Sequence, residues 1–592
     1  MPYSSPSSRR LLAAVVLPLV ATYVSALNIT VPAALPDNAQ PLSTTLVSFS
    51  IEQDRWPDWT GVAARNNFTF NALWNYAELT GSPPSIRVGA NSADRTFWSP
   101  TESLNEDSFP TPNSVNPYPE ATHIVVGNNF YNLSKYLPPG TRITWGVNLA
   151  ANNVTNAVNM ARAITGSFSD PAVIASDIIL DRIEIGNEPD LYAHNNLRPS
   201  NYSVKEYVSE WQANADPVVQ ALGIRGRSGL FTIQGAAFAN QGFTPREIFN
   251  LGILNSTGGK AISTISQHHY SGQSCKGGNF PLNSFMNKTA IRGNLSVFEP
   301  DIKATRAQGL DYVLGETNSI ACHGAPGVSD SAGAALWVVD YTLHAATLGI
   351  KEAYFHEGVG YKYNFVRPPV SLNRSIDDGS PVNSPTPPHV MPIYYGGLFI
   401  NSFIGNTGSS EFVELDVNHT YVTGYAVYEQ GHLARVALVN LQPWLSNTRG
   451  ARPSIDIRIN FTSPANSPSL AHLLNSQTVS AEHLLLRYAD DKANLTFGRR
   501  SYETPDALPD SPTEAVDGFL LSGKPLALPA SEAVLISFAP PSSPAGAGPS
   551  GSTPVSRNGT VIVAGVISGV VGAALCVGGV WYLRRRFSVR KL

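Results

Sequence analysis

Two glutamates follow directly after apolar stretches that read as strands. The first stretch is Ile183-Glu184-Ile185-Gly186-Asn187-Glu188-Pro189, and the second is Val313-Leu314-Gly315-Glu316-Thr317. A pair of carboxyl groups suits retaining glycoside hydrolysis, in which one group is protonated to assist the leaving oxygen and the other is ionised to attack the anomeric carbon. Glu188 and Glu316 are therefore the candidate catalytic residues.

The Asn187-Glu188-Pro189 tripeptide is the most specific local signal. An asparagine at this point can reach a sugar 2-hydroxyl, where hydrogen bonds strengthen in the transition state. Pro189 lacks a backbone donor and ends the strand. Alone, the tripeptide could also be a loop cap or a surface turn, but a third polar strand end, His268-His269-Tyr270, favours the catalytic interpretation. Glu184, earlier on the same strand face, is expected to be a partner inside the barrel.

Eight short, β-branched runs carry these segments. In chain order they are Thr44–Glu52, Ser85–Ala90, Thr141–Ala150, Arg182–Pro189, Thr232–Phe238, Thr264–Tyr270, Asp311–Thr317 and Glu352–Gly358. Helix-like stretches lie between them, as at Val204–Leu222 and Ser329–Gly349. This alternation predicts an α/β fold with a (β/α)₈ barrel, whose catalytic groups come from the carboxyl ends of the strands. An open doubly wound sheet is the alternative, but no glycine-rich phosphate fingerprint follows the first strand.

A different pattern follows the barrel, which is expected to occupy residues 27–400. Short apolar runs separated by Pro, Gly, Asn and Ser, without long helical periodicity, predict a β-sandwich over residues 401–540. The runs are Tyr421–Tyr428, Ala434–Asn440, Ile455–Phe461, His483–Tyr488 and Ala533–Phe538.

The N-terminal segment resembles a signal peptide. Arg9 and Arg10 precede the apolar run Leu11–Val20, and Val24-Ser25-Ala26 fits a cleavage site. Residues 1–26 are therefore predicted to be a signal peptide, with a buried N-terminal helix as the alternative.

The C-terminal segment resembles a membrane anchor. A Pro/Ser/Gly-rich stalk at 541–560 leads to the uncharged run Val561–Leu583, which is long enough to span a bilayer, and to the basic tail 584–592. The positive-inside rule then predicts a single-pass type I protein of the cell membrane or secretory pathway, with its catalytic domain extracellular or lumenal. A lipid-anchor signal is the alternative, but it would end in its hydrophobic tail.

Cysteines and asparagine triplets agree with passage through the secretory pathway. Cys576 lies in the predicted span, which leaves Cys275 and Cys322 as an even pair in an oxidising compartment, so a disulfide is expected. The candidate glycosylation sites are Asn67, Asn132, Asn153, Asn201, Asn255, Asn287, Asn294, Asn373, Asn418, Asn460 and Asn494.

Composition limits the classes of ligand that the chain is expected to bind. The chain is 43% hydrophobic and 14% charged with a net charge of −4, so nothing indicates nucleic-acid binding. No Cys/His cluster has ligand spacing, and His268 and His269 would point to opposite faces of a strand, so neither a metal nor a cofactor is expected. We expect a monomer that binds an oligosaccharide or polysaccharide substrate and, through its predicted span, the membrane.

From about residue 40 to 540 the chain resembles glycoside hydrolase family 79, the family of heparanase and microbial β-glucuronidases, and its fungal members most closely. The supporting segments are Ser48-Phe49-Ser50-Ile51-Glu52, Ile86-Arg87-Val88-Gly89-Ala90-Asn91-Ser92, Ile185-Gly186-Asn187-Glu188-Pro189, His268-His269-Tyr270 and Leu314-Gly315-Glu316-Thr317. The resemblance implies that the β-sandwich includes a short N-terminal strand, at about 28–34.

The resemblance also implies roles for residues. It makes Glu188 the acid/base and Glu316 the nucleophile, and it places Tyr270 or His268 where a side chain holds Glu316. The residues implied in sugar binding are Asn187 at the 2-hydroxyl, Glu52 and Asn91 at other hydroxyls, and Gly360, Tyr361 and Tyr363 at the uronate carboxylate. Backbone N–H groups contact that carboxylate in the family, and glycine permits the close approach.

Basic clusters that seat a sulfated polymer in heparanase do not accompany the predicted site strands. The resemblance therefore favours an exo-acting β-glucuronidase that removes terminal β-linked glucuronate, or 4-O-methyl-glucuronate, from cell-wall or proteoglycan-type glycans. Three alternatives stay open. They are a retaining barrel glycosidase for a neutral sugar (a β-xylosidase or β-glucosidase), a heparanase-like endo-β-glucuronidase, and a non-catalytic glycan-binding protein.

Overall fold

A computed structural model of the chain describes residues 26–113, 118–239, 242–275, 280–369, 387–462, 479–511, 517–519 and 525–538. The predicted signal peptide up to residue 25, the stalk, the apolar run Val561–Leu583 with Cys576, the basic tail and the triplet at Asn373 lie outside these residues. Within the described ranges, no helix combines the length and the apolar character needed to cross a membrane.

The strands, in chain order, are β1 (Leu27–Pro32), β2 (Gln40–Pro41), β3 (Val47–Glu52), β4 (Ile86–Gly89), β5 (Thr96–Trp98), β6 (Asn105–Ser108), β7 (His123–Val126), β8 (Arg142–Val147), β9 (Ile179–Ile185), β10 (Thr232–Phe238), β11 (Ile262–Gln273), β12 (Asp311–Ala321), β13 (Ala353–Glu357), β14 (Val366–Arg367), β15 (His389–Val390), β16 (Ser410–Glu414), β17 (Val422–Glu429), β18 (His432–Asn440), β19 (Ser454–Thr462), β20 (Val479–Leu485), β21 (Thr496–Phe497), β22 (Asp517–Phe519), β23 (Leu526–Pro529) and β24 (Glu532–Ser537).

The α-helices, in the same order, are α1 (Trp56–Thr60), α2 (Asn67–Thr80), α3 (Ala90–Ala93), α4 (Asn128–Asn132), α5 (Val154–Ser167), α6 (Pro171–Ala175), α7 (Val204–Leu222), α8 (Pro245–Asn250), α9 (Thr257–Lys260), α10 (Leu282–Phe285), α11 (Lys288–Ser296), α12 (Glu299–Ala307), α13 (Ala332–Thr347) and α14 (Pro392–Ile404).

Eight parallel strands close into a barrel, which confirms the predicted (β/α)₈ fold. Around the barrel the order is β3, β4, β8, β9, β10, β11, β12 and β13, and Ala353 of β13 pairs with Val47 of β3 to close it. All eight strands fall on the runs that the sequence indicated. β3 is buried along its whole length, because a barrel strand is covered on both faces. We refer to these as barrel strands one to eight.

Local sequence accounts for where the outer helices begin and end. In α7, Ser203 and Glu206 form a capping box at the start, and Gly223 adopts the left-handed conformation (φ 67°) at the end. Tyr207 and Trp211 lie one turn apart on the face that the helix buries.

A C-terminal β domain packs beside the barrel. Its larger sheet has the order β2-β16-β17-β18-β24-β20-β21, with β22 paired to β20, and its smaller sheet has the order β1-β19-β23. Ile29 of the smaller sheet and Val436 and Ile536 of the larger one share one apolar core. The N-terminal strand β1 therefore belongs to this domain, as the resemblance implied, and Leu27 pairs in parallel with Ile457.

Candidate active site

Glu188 and Glu316 meet at the carboxyl end of the barrel. Barrel strand four ends at Ile185, and the chain turns through Gly186 (φ 87°) to Glu188, which itself adopts the left-handed conformation (φ 48°). Glu316 lies on barrel strand seven. One oxygen from each carboxyl group and a ring nitrogen of His268 all lie within 4.8 Å of one another. This spacing fits the short separation of about 5–5.5 Å in retaining enzymes, not the 6.5–9.5 Å of inverting ones.

Glu316 is held in the ionised form. Burial by itself would raise the pKa of Glu316, but the positive charges of His356 and Arg87 and a hydrogen bond from Tyr270 outweigh it and lower the pKa to about 2. The Tyr270 hydroxyl donates to Oε1 at 2.8 Å, and Arg87 Nη1 donates to Oε2 at 3.0 Å. A carboxylate with these partners suits the role of a nucleophile.

Glu188 is held in the protonated form at neutral pH. Burial and the negative charge of Glu316 raise the pKa of Glu188 to about 8. Its Oε1 lies 2.9 Å from His268 Nδ1, and burial lowers the pKa of His268 to about 4, so the imidazole is neutral. The two carboxyl groups therefore carry the divided protonation that a general acid and a nucleophile require. Tyr270 holds Glu316 and His268 contacts Glu188, which resolves the choice that the sequence left open.

Arg87 is a central residue of the site that the sequence analysis did not assign. It is fully buried on barrel strand two, and its guanidinium donates to Glu184 at 2.8 Å, to Asn187 Oδ1 at 2.7 Å and to Glu316. Glu184 is thus the partner inside the barrel that was expected. The sequence did contain a signal for this role, namely a charged residue inside an apolar strand. Such a charge must be paired, because burying an unpaired charge costs a large amount of folding free energy.

Asn187 is fixed by contacts on both sides of its amide. Its Oδ1 accepts from Arg87, its Nδ2 donates to Asn91 Oδ1 at 3.3 Å, and its backbone N–H donates to Asp94 Oδ2 at 3.0 Å. Asn91 lines the cleft above the catalytic pair. The two asparagines therefore lie together, and their roles in sugar binding stay predictions.

Glu52 and His356 form a buried pair at the carboxyl ends of barrel strands one and eight. His356 Nε2 lies 3.4 Å from Glu52 Oε1, and His356 Nδ1 lies 3.8 Å from Glu316 Oε2. Burial raises the pKa of Glu52 to about 7. Burial alone would lower the pKa of His356, but the charges of Glu316 and Glu52 raise it to about 9. His356 was not predicted from the sequence, although it lies at the end of a barrel strand as the predicted residues do.

The strand-eight loop contributes Tyr363 to the cleft, while its other two expected residues pack behind the wall. The Tyr361 ring stacks on His323 at 3.9 Å, and its hydroxyl donates to Glu120 Oε1 at 3.2 Å. A Cβ on Gly360 would come within 2.3 Å of the Tyr118 ring, so this position requires glycine for packing. The contact of Gly360 and Tyr361 with a uronate carboxylate stays a prediction.

The cleft has a volume of about 780 Å³. Besides the catalytic pair, it is lined by Asn91, Glu120, Leu191, His194, Asn195, Ala239, Tyr270, Gly272, Gln273, Cys275, Ala321, Cys322, His323, His356 and Tyr363. Glu120, which the sequence analysis also missed, is ionised, because hydrogen bonding to His323 and the charge of Arg95 overcome burial and lower its pKa to about 2.

The structure joins Cys275 and Cys322 by a disulfide, as the cysteine count predicted. Their Cα atoms lie 5.1 Å apart at the ends of barrel strands six and seven, and both residues line the cleft. The bridge therefore ties together two loops of the site wall.

The candidate glycosylation sites differ in exposure. Asn132 and Asn294 are half-buried. The exposed sites are Asn67, Asn153, Asn201, Asn255, Asn287, Asn418, Asn460 and Asn494. Their modification stays a prediction.

Comparisons with known proteins agree with this architecture. Residues 424–535 match the glycosyl hydrolase family 79 C-terminal β domain. A β-glucuronidase of Neurospora crassa is 27% identical over 536 residues, covering 83% of this chain and 90% of that protein. A β-glucuronidase of Aspergillus niger is 28% identical over 492 residues, covering 81% and 86%.

A solved structure shares the fold. It is a 4-O-α-L-rhamnosyl-β-D-glucuronidase from Fusarium oxysporum in complex with Rha-GlcA, with a TM-score of 0.69 at 23% identity, covering 86% of this chain and 100% of that one. The barrel, its paired carboxyl groups and these relatives define a glycoside hydrolase. The resemblance to glycoside hydrolase family 79 that the motifs indicated is confirmed by the match of the C-terminal domain and by the two fungal relatives.

Proposed function

We propose that the chain is a retaining, exo-acting β-glucuronidase. Its substrate would be terminal β-linked glucuronate, with or without a 4-O-methyl group, on cell-wall or proteoglycan-type glycans. One observation carries the reaction type: Glu188 and Glu316 approach within 4.8 Å while their surroundings hold one protonated and the other ionised.

The first step forms a glycosyl-enzyme. Glu316 attacks the anomeric carbon while Glu188 gives its proton to the glycosidic oxygen, so the bond to the leaving group breaks as the bond to Glu316 forms. Arg87 and Tyr270 keep Glu316 ionised and oriented before attack. The neutral His268 contacts Glu188 without adding a positive charge that would remove its proton.

The second step releases the sugar. Once Glu316 is esterified, its negative charge no longer raises the pKa of Glu188, so the ionised Glu188 can accept a proton from water. The water then attacks the anomeric carbon from the face that the leaving group occupied. Two inversions give net retention of the β configuration.

The relatives support glucuronate as the sugar, because both fungal proteins are β-glucuronidases. Within the cleft, Tyr363 is a neutral donor for the uronate carboxylate, since burial raises its pKa well above the usual value. Among the described residues that line the cleft, none is Lys or Arg. A long sulfated polymer would lack cationic partners there, which favours exo action over a heparanase-like endo-glucuronidase.

Chemical rescue tests the two roles. Glu316→Ala should abolish turnover, and azide should restore it with an inverted, α-configured product. Glu188→Ala should still cleave substrates with good leaving groups, and azide should give a β-configured product. The exposed Glu299→Ala is the matched control and should keep full activity without an azide response. Exchanged product configurations would refute the assignment.

The sugar is tested separately with the full chain. Aryl β-glucuronide, β-glucoside and β-xyloside are compared at equal leaving-group pKa. We expect kcat/KM to be highest for the glucuronide. A preference for the glucoside or xyloside would instead support a neutral-sugar glycosidase, and no turnover of any of the three would support a glycan-binding protein.

We propose from the sequence that residues 27–540 form the catalytic unit, divided at about residue 400 into the barrel and the β domain. The terminal segments support a type I protein with this unit extracellular or lumenal. Truncation after residue 540 should release active enzyme into the medium. Retention of the truncated protein in membranes would refute the anchor.

A further inference from the structure

The cleft is lined by residues from several barrel strands and loops besides those that carry the catalytic pair. Its volume of about 780 Å³ falls in the upper part of the range for sites that enclose drug-sized ligands, which are larger than one sugar ring. Part of its lining comes from barrel strands two, seven and eight and their loops. The rest comes from the loops after barrel strands four and five and from the end of barrel strand six: Leu191, His194, Asn195, Ala239, Tyr270, Gly272, Gln273 and Cys275.

The position of Glu188 distinguishes the part of the cleft for the cleaved sugar from the part for the leaving group. A general acid gives its proton to the oxygen that joins the sugar to its leaving group. The cleaved sugar therefore lies on the side of Glu316 and His356, and the leaving group lies on the side of Leu191 and Asn195. This division rests on the proposed function, because it requires Glu188 to be the acid.

The segment after Glu188 presents its side chains in a row. The backbone N–H of Leu191 donates to Glu188 O at 2.8 Å, and the N–H of Asn195 donates to Leu191 O at 2.9 Å. The first turn starts from the left-handed Glu188, and the second is a helical turn that places Leu191 and Asn195 on one face; all three residues line the cleft. Glu188, Leu191 and Asn195 therefore follow one another along one wall of the cleft.

Several contacts anchor this segment from behind. The Tyr192 hydroxyl donates to Asp94 Oδ2 at 2.6 Å, and the backbone N–H of Ala239 donates to Asp190 Oδ1 at 2.9 Å. Arg198 binds both carboxylate oxygens of Glu210 and the carbonyl of Ala150. The wall is thus preorganised, and binding a ligand there does not require a loop to become ordered.

We propose that Leu191, His194 and Asn195 form a subsite for the leaving group and that its occupant is a neutral pyranose. Leu191 packs against the C–H face of the ring, and the Asn195 amide both donates to and accepts from ring hydroxyls. His194 is exposed at the mouth and binds an outer hydroxyl. Because no Lys or Arg lines the described part of the cleft, an anionic leaving group gains no charge-assisted bond there.

Two substrates separate this subsite from the catalytic step. β-Glucuronosyl fluoride has a leaving group of one atom and leaves the subsite empty, whereas a β-glucuronosyl-hexose disaccharide fills it. Asn195→Ala should lower kcat/KM for the disaccharide about tenfold, as expected for one or two lost hydrogen bonds, and change that for the fluoride less than twofold. Ala239→Trp, which adds a large side chain to the lining that Ala239 shares with Leu191, should have the same selective effect.

The control is Asn250→Ala, an exposed asparagine on α8, which should leave both substrates unaffected. Equal losses on both substrates, or no loss on the disaccharide in either variant, would overturn the subsite. A disaccharide with a sulfated hexose that reacts faster than its neutral counterpart would overturn the choice of a neutral occupant. If the native enzyme hydrolyses the fluoride of another sugar but neither glucuronide, the proposed function itself fails, and the subsite with it.

Discussion

Replacing His356 with glutamine should move both limbs of the pH–rate profile to higher pH. The His356 imidazolium lies 3.8 Å from Glu316 Oε2 and helps to keep the pKa of Glu316 at about 2. At an effective dielectric constant of about 20, a charge at this distance contributes about 4 kcal/mol, or about three pKa units. Water that enters the variant site will reduce the effect, so we expect the pKa of Glu316 to rise by one to three units.

The assay is kcat/KM as a function of pH, which reports the ionisation of the free enzyme. The native profile should stay flat on its acidic side down to acid unfolding, whereas the variant should show a limb between about pH 3 and 5. The alkaline limb should also rise, because the charge of His356 lowers the pKa of Glu188.

Tyr270→Phe is the matched control for the His356 variant. It removes one hydrogen bond from Glu316 but no charge, so its acidic limb should move by only about one unit. A His356→Gln variant that loses turnover while both limbs stay in place would refute the electrostatic role of His356.

Three further outcomes follow from two buried charged or titratable groups and from the disulfide. Arg87→Met removes the guanidinium that pairs with both Glu184 and Glu316, so it should lower kcat by at least about 100-fold and the free energy of unfolding by about 3–5 kcal/mol in denaturant titrations. Arg142→Met at the exposed pair with Asp181 should cost less than about 1 kcal/mol. The pKa of Glu357 is raised well above 4.5 by burial, so the folded state holds a proton that the unfolded state releases, and this group makes stability fall as pH rises from about 4.5 towards the raised value. Glu357→Gln should keep activity and lose only this group's share of the pH dependence, so that the difference in unfolding free energy between pH 5 and 8 becomes smaller than in the native protein. Replacing Cys275 and Cys322 together by serine opens a loop of 47 residues and should lower the free energy of unfolding by about 4 kcal/mol. In the native protein, both thiols should react with a labelling reagent only after reduction. Labelling without reductant would contradict the bridge.

The fold was largely predictable because its signals are local. Each barrel strand is a short β-branched run, and the catalytic glutamates follow two of these runs directly, so their place at the barrel mouth follows from the architecture alone. The ends of α7 were predictable for the same reason, since its apolar spacing is intact over its whole length.

The missing parts of the site depend on contacts between distant segments. Arg87 interacts with Glu184 and Glu316, which lie on other strands, and no spacing rule links them. Strand alternation did place His268 and Tyr270 on one face, with His269 turned outward to Tyr341. Which of the two contacts Glu316 was not predictable, because the ladder between barrel strands six and seven shifts register at Gln267/His268.

The loop after barrel strand eight shows a second limit of prediction from the sequence. Its tyrosines and glycines are typical of a ligand-binding loop, yet Tyr361 packs against His323 and Gly360 against Tyr118. Side-chain direction in a loop depends on the backbone path, and sequence spacing does not determine that path.

The parallel pairing of β1 with β19 sets an order of assembly. Leu27 cannot pair until Ile457 has been synthesised, and the whole barrel lies between these two residues in the chain. Because β19 is flanked by β1 and β23, the smaller sheet is reduced to two strands until the ends of the chain meet. Long-range pairing of this kind is slow and leaves apolar edges exposed meanwhile. A protein shortened by a few residues at Leu27 should therefore misfold in its C-terminal domain, far from the deletion along the chain.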